Sequence, residues 1–91
     1  MEIISKIEEI TEPNIKYATC DSLQARWFQI DLDKEGYCIY GYVSGSMPTS
    51  VCNGSMVKYW KTWKGVISAI RKFAQKGNWG FQNYFPYLRK E

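Results

Sequence analysis

The chain has 91 residues, of which 45% are hydrophobic and 16% aromatic, and it carries 12 Lys and Arg against 9 Asp and Glu, a net charge of +3. This composition is typical of a small globular domain and excludes a disordered tail. A domain of this size buries only about 60–65% of the surface that its unfolded chain exposes, so its core is small. We therefore expect residues 1–91 to form a single domain.

Residue types that commonly carry catalysis or bind metals are scarce. The chain contains no histidine, which removes the commonest general base and the usual partner of a Ser or Cys nucleophile. Its three cysteines, Cys20, Cys38 and Cys52, form no Cys-x-x-Cys pair, so neither a disulfide framework nor a zinc site is predicted. We therefore expect a protein that is not an enzyme, with no catalytic residue, no metal and no cofactor.

The sequence predicts neither export nor membrane insertion. The first residues, MEIISKIEE, alternate in charge where a signal peptide needs a cationic start and a continuous apolar segment. The longest run without a charge, residues 36–57, is interrupted by Gly, Ser, Pro and Asn, so it is interpreted as a strand followed by a loop. A cytoplasmic protein that binds no membrane is expected.

The first predicted elements are two short strands. In EIISKIEEI, residues 2–10, the isoleucines have helical spacing, but the β-branched content favours a strand, which is broken at Pro13. Residues 15–19 form the second predicted strand, and a turn follows at residues 20–22.

Residues 25–44 contain the clearest strand signal, a β-hairpin. Two β-rich runs flank residues 33–36, where Gly36 can supply the left-handed residue of a four-residue loop. If Leu32 pairs with Tyr37, Trp27 lies directly across from Tyr42, and alternation along the strands separates two faces. The face predicted to be core carries Phe28, Ile30, Leu32, Tyr37, Ile39 and Val43. The opposite face carries Trp27, Gln29, Asp31, Cys38, Tyr40 and Tyr42.

After a polar loop over residues 44–55, the chain is predicted to form an amphipathic α-helix over residues 62–76. Thr62 is a favourable N-cap, and Gly77 can adopt the left-handed conformation that ends a helix. At about 100° per residue, one side of the helix carries Trp63, Val66, Ile67, Ile70, Phe73 and Ala74. The preceding residues, 56–60, either extend this helix or form a third strand.

These elements predict an α+β fold, a small antiparallel sheet of three to four strands with one C-terminal helix packed on one face. A helix of this length is marginal in water by itself, so its apolar side must pack on the sheet face that carries Phe28, Ile30 and Ile39. The tail has five aromatic residues in the nine positions 79–87. It is expected either to add an edge strand or to cover an open surface as a short helix.

The sheet face opposite to the helix is the first candidate site. Aromatic side chains on an open sheet face can contact a partner protein or stack on nucleic-acid bases. Asp31 and the lack of any Lys on the predicted face argue against nucleic acid. We therefore expect a protein partner, bound through Trp27, Gln29, Asp31, Tyr40 and Tyr42. The alternative is that the aromatic tail covers this face as a second small core.

The basic side of the helix is the second candidate site. With the preceding segment it carries six cations and no acid: Lys58, Lys61, Lys64, Arg71, Lys72 and Lys76. Such a surface can contact nucleic-acid phosphates without reading the bases. The alternative is an ordinary solvated face, whose last cations are favoured by the helix dipole.

Charge is divided along the chain. Residues 1–35 have a net charge of −4, from four Lys and Arg against eight Asp and Glu, whereas residues 36–91 have a net charge of +7, from eight against one. Folding either brings the halves together so that they neutralise each other or leaves an acidic and a basic pole. The sequence leaves both alternatives open.

No motif is specific enough to assign a family. The small size, the divided charge and the surplus of Trp and Tyr are typical of a non-enzymatic binding protein that occupies a surface of a larger partner. The chain resembles the small stand-alone proteins that phages and mobile elements encode, which suggests an anti-CRISPR-like inhibitor of host nucleic-acid machinery, a protein of host-defence evasion. Two alternatives are a nucleic-acid-binding module that uses residues 58–76 and a homodimer joined through the Trp27 face or the tail.

Overall fold

The architecture is a small sheet with one long helix packed against it. A computed structural model describes residues 1–21, 26–43 and 45–90. Its strands and helices are β1 (Glu2–Ile3), β2 (Lys16–Ala18), β3 (Phe28–Asp33), β4 (Gly36–Gly41), β5 (Thr49–Ser50), β6 (Cys52–Asn53), β7 (Met56–Val57), α1 (Trp63–Lys76) and α2 (Phe81–Tyr84). Strands β1 to β5 form one sheet in that order, with β1 parallel to β2 and the other neighbours antiparallel, and β6 pairs with β7. The predicted α+β fold is confirmed.

The larger sheet has more strands than the three to four predicted. The predicted polar loop contains β5 and β6, and Val51 between them is fully buried in the core. The N-terminal segment is strand only at Glu2–Ile3, because residues Ile7–Glu9 form a short 3-10 helix that buries Ile7. Two-residue strands form mainly because they pair with distant segments, and local preference contributes little. The local sequence pattern therefore did not predict them.

The hairpin formed by β3 and β4 has the predicted register. Leu32 pairs with Tyr37, and the Tyr42 amide donates to the carbonyl oxygen of Trp27 at 2.9 Å. The alternation of faces therefore follows as predicted. Three residues of the predicted turn, hairpin and loop lie outside the described part of the chain: Ser22, Ala25 and Ser44.

Gly36 is required at the hairpin turn by both conformation and space. Its φ is +127°, and a Cβ at this position would lie 2.5 Å from the carbonyl oxygen of Trp60. Trp60 exchanges two backbone hydrogen bonds of 2.8 Å with Tyr37, so the segment before α1 adds one extended bridge to the edge of β4. The alternative in which residues 56–60 extend the helix is therefore wrong.

Helix α1 begins and ends where its capping residues predict. The Thr62 hydroxyl accepts a hydrogen bond from the Gly65 amide at 3.0 Å, which satisfies one of the free amides of the first turn. Gly77 is left-handed at φ +75°, and its amide donates to the carbonyl of Phe73. Within the described residues, no helix is long and apolar enough to cross a membrane.

The core lies between the sheet and α1. We call the sheet surface that packs on α1 the inner face. Phe28, Ile30 and Ile39 are fully buried there and belong to one cluster with Val66 and Ile70 of the helix. The predicted core face is wrong at one position, because Leu32 is 47% exposed. Leu32 lies next to the hairpin turn. β2 pairs with β3 at Phe28 and Gln29, so β2 does not extend as far as Leu32.

The aromatic tail also packs on the inner face. It forms α2 and a short 3-10 helix at Pro86–Leu88, so the edge-strand alternative is wrong. The rings of Phe81, Tyr84 and Phe85 lie 5.3, 4.9 and 6.1 Å from that of Phe28, measured between centroids. All three are buried, and with α1 they complete the layer that covers this side of the sheet.

Candidate protein-binding face

The outer face is the sheet surface opposite to α1, defined by Trp27, Gln29 and Asp31 on the β3 side and Cys38, Tyr40 and Tyr42 on the β4 side. The tail does not cover it, because the tail rings pack around Phe28 on the inner face. The alternative in which the tail covers the outer face is therefore wrong. The structure brings the five predicted binding residues together on one surface, and all five are half-buried.

Three aromatic rings form one group on the outer face. The Trp27 ring centroid lies 5.7 Å from that of Tyr42, with the ring planes at 89°, and 5.9 Å from that of Tyr40, at 48°. Edge-to-face arrangements at these distances are favourable aromatic contacts. The rings therefore support one another as one aromatic group on the outer face.

Lys16 joins this aromatic group, which corrects the prediction that the face lacks lysine. Lys16 pairs with Gln29 across β2 and β3, and its Nζ lies 4.4 Å from the centroid of the Trp27 ring. A cation above a Trp ring at this distance is attracted by the ring's electrons. Alternation in β2 indicates that Lys16 faces away from the buried Tyr17, but the sequence carries no signal for the pairing of Lys16 with Gln29.

Tyr84 supports the aromatic group from the inner side. Its hydroxyl lies 3.1 Å from the carbonyl oxygen of Trp27 and 3.2 Å from that of Tyr42, so the two oxygens share its single proton as acceptors. Burial raises the pKa of Tyr84 to about 12, so the hydroxyl keeps its proton at neutral pH. The backbone beneath two of the outer-face rings is thereby fixed to the core.

The hairpin end of the outer face is acidic. Asp31 accepts a hydrogen bond from the Gln29 amide group at 2.7 Å, and alternation places Asp33 two residues further along the same face. Desolvation and the carboxylate of Asp33 raise the pKa of the nearby Tyr59. Tyr59 is thus a fourth aromatic side chain beside the outer face. Its position could not be predicted from the sequence, because Tyr59 follows a loop.

Cys38 lies at the hairpin end of the outer face, and its thiol is not a reactive thiolate. It is buried, and burial together with the charges of Asp31 and Asp33 raises the pKa of its thiol. A raised pKa keeps a thiol protonated and a poor nucleophile at neutral pH. Cys38 is therefore a packing residue of this surface.

The basic side of α1 is less uniform than its sequence indicates. Arg71 forms an ion pair with Glu8, with Nη2 3.5 Å from Oε2, and Lys58 is half-buried with its Nζ 5.6 Å from the Trp60 ring centroid. The remaining four cations are solvent-exposed: Lys61, Lys64, Lys72 and Lys76. The acidic N-terminal segment thus neutralises one cation of the predicted basic face.

Folding neutralises the two charged parts of the chain only in part. Within residues 1–21, 26–43 and 45–90, the pair between Arg71 and Glu8 is the only contact within 4 Å that joins a cation to a carboxylate. The acids of the hairpin lie at the outer face, whereas the cations of α1 lie on the opposite side of the sheet. The acids of the hairpin therefore stay apart from the cations of α1, whereas the N-terminal segment brings Glu8 to Arg71.

Two clefts flank these surfaces. One of about 370 Å³ lies beside the outer face and is lined by Tyr42, Tyr84 and Arg26. The other, of about 390 Å³, lies between α1 and the N-terminal segment and contains Glu8 and Arg71. Across the described residues, no three His, Cys, Asp or Glu side chains are grouped to hold a metal ion.

No protein-family model, curated protein or solved structure matches this chain.

Proposed function

We propose that the protein is a non-enzymatic binding domain that docks its outer face on a larger protein and blocks the surface that it covers. The observation that carries this proposal is the joined aromatic group of Trp27, Tyr40 and Tyr42, which α1 and the tail leave open. Trp and Tyr dominate the binding energy of protein interfaces because they bury a large area while fixing few rotatable bonds.

The rigidity of this group supports binding. Lys16 contacts the Trp27 ring, and the Tyr84 hydroxyl anchors the Trp27 backbone, so both restrain this residue before any partner arrives. A preorganised side chain loses little conformational entropy on association, so more of its contact energy contributes to affinity. The aromatic group is therefore suited to act as the anchor of an interface.

The charge of the surface supports a basic partner. Asp31 and Asp33 lie on the outer face against the single cation Lys16 among the described residues of the face, and the adjoining turn holds one charge of each sign, Lys34 and Glu35. Complementary charge steers association and excludes partners of the same sign. The partner surface should therefore present Arg or Lys next to apolar side chains, which is the chemistry of a protein channel that binds nucleic acid.

A phage-type or anti-CRISPR-like inhibitor of host nucleic-acid machinery is the narrowest form of this proposal. It draws its support from the small size of the chain and from the acidic outer face, which could occupy a basic channel in place of nucleic acid. The wider proposal, a protein that binds a basic partner surface, does not depend on it.

The test is capture of a partner by the tagged protein from a nuclease-treated lysate of the host cell, repeated with variants of the outer face. Trp27→Ala should weaken binding by about 30-fold or more, the usual cost of removing an aromatic anchor. Asp31→Lys should weaken it through charge. Met56→Ala is the matched control, because Met56 is 73% exposed and lies in the separate β6-β7 hairpin.

Two outcomes contradict the proposal. One is a partner whose affinity is the same for the wild type, Trp27→Ala and Asp31→Lys, each confirmed as folded by its thermal melting. The other is a homodimer in sedimentation that Trp27→Ala converts to a monomer, because the outer face would then be occupied by a second copy of the chain.

A further inference from the structure

The structure brings four cations together at the C-terminal end of α1, from two parts of the chain that are separate in sequence. We define the C-terminal basic cluster as Lys72, Lys76, Arg89 and Lys90. We propose that this cluster binds the phosphate backbone of nucleic acid. The inference is independent of the outer face and of its protein partner.

The chain path creates the cluster. After the 3-10 helix at Pro86–Leu88, the tail returns to the end of α1, where the Lys90 amide donates to the carbonyl oxygen of Gln75 at 3.1 Å. The Arg89 guanidinium lies against Gly77, the residue that ends the helix. Lys72 and Lys76 are four residues apart and therefore lie on the same side of α1.

The cluster is open to solvent and is not neutralised by the described residues. All four side chains are exposed, and within residues 1–21, 26–43 and 45–90 none has a carboxylate within 4 Å. Arg71, in contrast, is paired with Glu8. The partial negative charge of the helix C-terminus favours cations at this position, but it is small compared with four positive side chains.

The ligand follows from the kind of charge that the cluster presents. Four exposed cations from a helix and an adjoining tail suit a repeating line of phosphates better than one small anion enclosed in a pocket, because none of the four is buried. Contacts with phosphates carry no base information. Binding should therefore be independent of nucleotide sequence.

The position of the cluster allows nucleic acid and a protein partner to bind together. The basic cluster lies on the helix side of the sheet, whereas Trp27 and Tyr40 lie on the outer face. Neither surface shares a residue with the other. A protein with both surfaces could hold on to a nucleic-acid complex at two points.

The test measures binding of fluorescently labelled single-stranded and duplex oligonucleotides by anisotropy at several salt concentrations. The affinity for duplex should fall with salt with a slope of about −3 to −4 in a plot of log K against log salt, as expected for four phosphate contacts. Two oligonucleotides of different sequence should bind within about twofold of each other.

Charge reversal at the two ends of α1 provides a matched comparison, with Lys61 just before the N-cap Thr62 and Lys64 in the first turn. The double variant K72E/K76E changes the charge of the cluster, and K61E/K64E makes the same change in net charge at the other end of α1. K72E/K76E should weaken binding at least tenfold at low salt, whereas K61E/K64E should weaken it less than threefold. Lys90→Glu, in the tail, should also weaken binding, which separates loss of the cluster from damage to the helix.

Three results would overturn the inference: equal losses in the two double variants, no binding of the wild-type protein to either oligonucleotide at low salt, or binding to vesicles of anionic lipid with none to oligonucleotides. Far-ultraviolet circular dichroism of each variant shows whether α1 is intact. If K72E/K76E loses nucleic-acid binding but still binds the protein partner, this inference and the proposed function are tested separately.

Discussion

The Tyr84 hydroxyl lies 3.1 Å from the carbonyl oxygen of Trp27, so a buried residue of the tail holds the backbone of the main outer-face residue. The same hydroxyl reaches the carbonyl oxygen of Tyr42 at 3.2 Å. The core and the candidate binding face are thus connected through one side chain. Changes to the tail should therefore affect the outer face although the tail packs on the inner face.

Tyr84→Phe should lower the free energy of unfolding by about 1 kcal/mol, with the fold unchanged, because two carbonyl oxygens lose the one donor that they share while the ring remains. Chemical denaturation of the wild type and the variant measures the difference. The near-ultraviolet circular dichroism of Trp should change as well, since the backbone under Trp27 is released. An unchanged stability would show that water replaces the hydroxyl.

Stability should fall at alkaline pH in a way that depends on Tyr84. Its pKa is raised in the folded state from 10.0 to about 12, mainly by burial. The unfolded state therefore releases its proton first, so this contribution is complete below about pH 10 and is lost as the pH rises towards 12. Denaturation at pH 8 to 11 should show a smaller loss in Tyr84→Phe than in the wild type. Parallel curves for the two proteins would contradict this assignment.

Two residues of the same strand face should respond differently to truncation. Phe28 is fully buried, whereas Leu32 is 47% exposed. Phe28→Ala should cost about 3 to 5 kcal/mol, enough to unfold a marginal domain, because it leaves a cavity among the tail rings. Leu32→Ala should cost less than about 1 kcal/mol. Thermal melting of both variants measures the contrast, and equal costs would mean that Leu32 is buried in solution.

Two turn glycines should also differ when replaced by alanine. Gly36 and Gly54 both have positive φ, but a Cβ on Gly36 would meet the Trp60 carbonyl at 2.5 Å, whereas a Cβ on Gly54 has open space. Gly54→Ala should cost about 1 kcal/mol from backbone strain alone. Gly36→Ala should cost clearly more, about 3 kcal/mol, because the bridge between Tyr37 and Trp60 must also shift. Similar melting temperatures for the two variants would exclude the steric contribution.

Two elements could be predicted from local signals in the sequence, α1 and the hairpin of β3 and β4. The bounds of α1 follow from Thr62 and Gly77, whose capping geometry depends on residues within one helical turn. The register of the hairpin follows from a short turn and from alternation, so Trp27 and Tyr42 could be placed together before the structure was known. The signals for these features lie close together in sequence, although the helix and the hairpin become stable only when they pack in the fold.

The tertiary structure alone decided which surfaces are open and which charges are free. Lys16 reaches Trp27 because β2 pairs with β3, Arg71 meets Glu8 across more than sixty residues of chain, and Lys90 returns to the end of α1. Each of these contacts joins segments whose relative position is set by packing of the whole core around Phe28. A local sequence pattern does not contain information on that packing. The outer face could therefore be predicted in part, whereas the C-terminal basic cluster was found only in the folded structure.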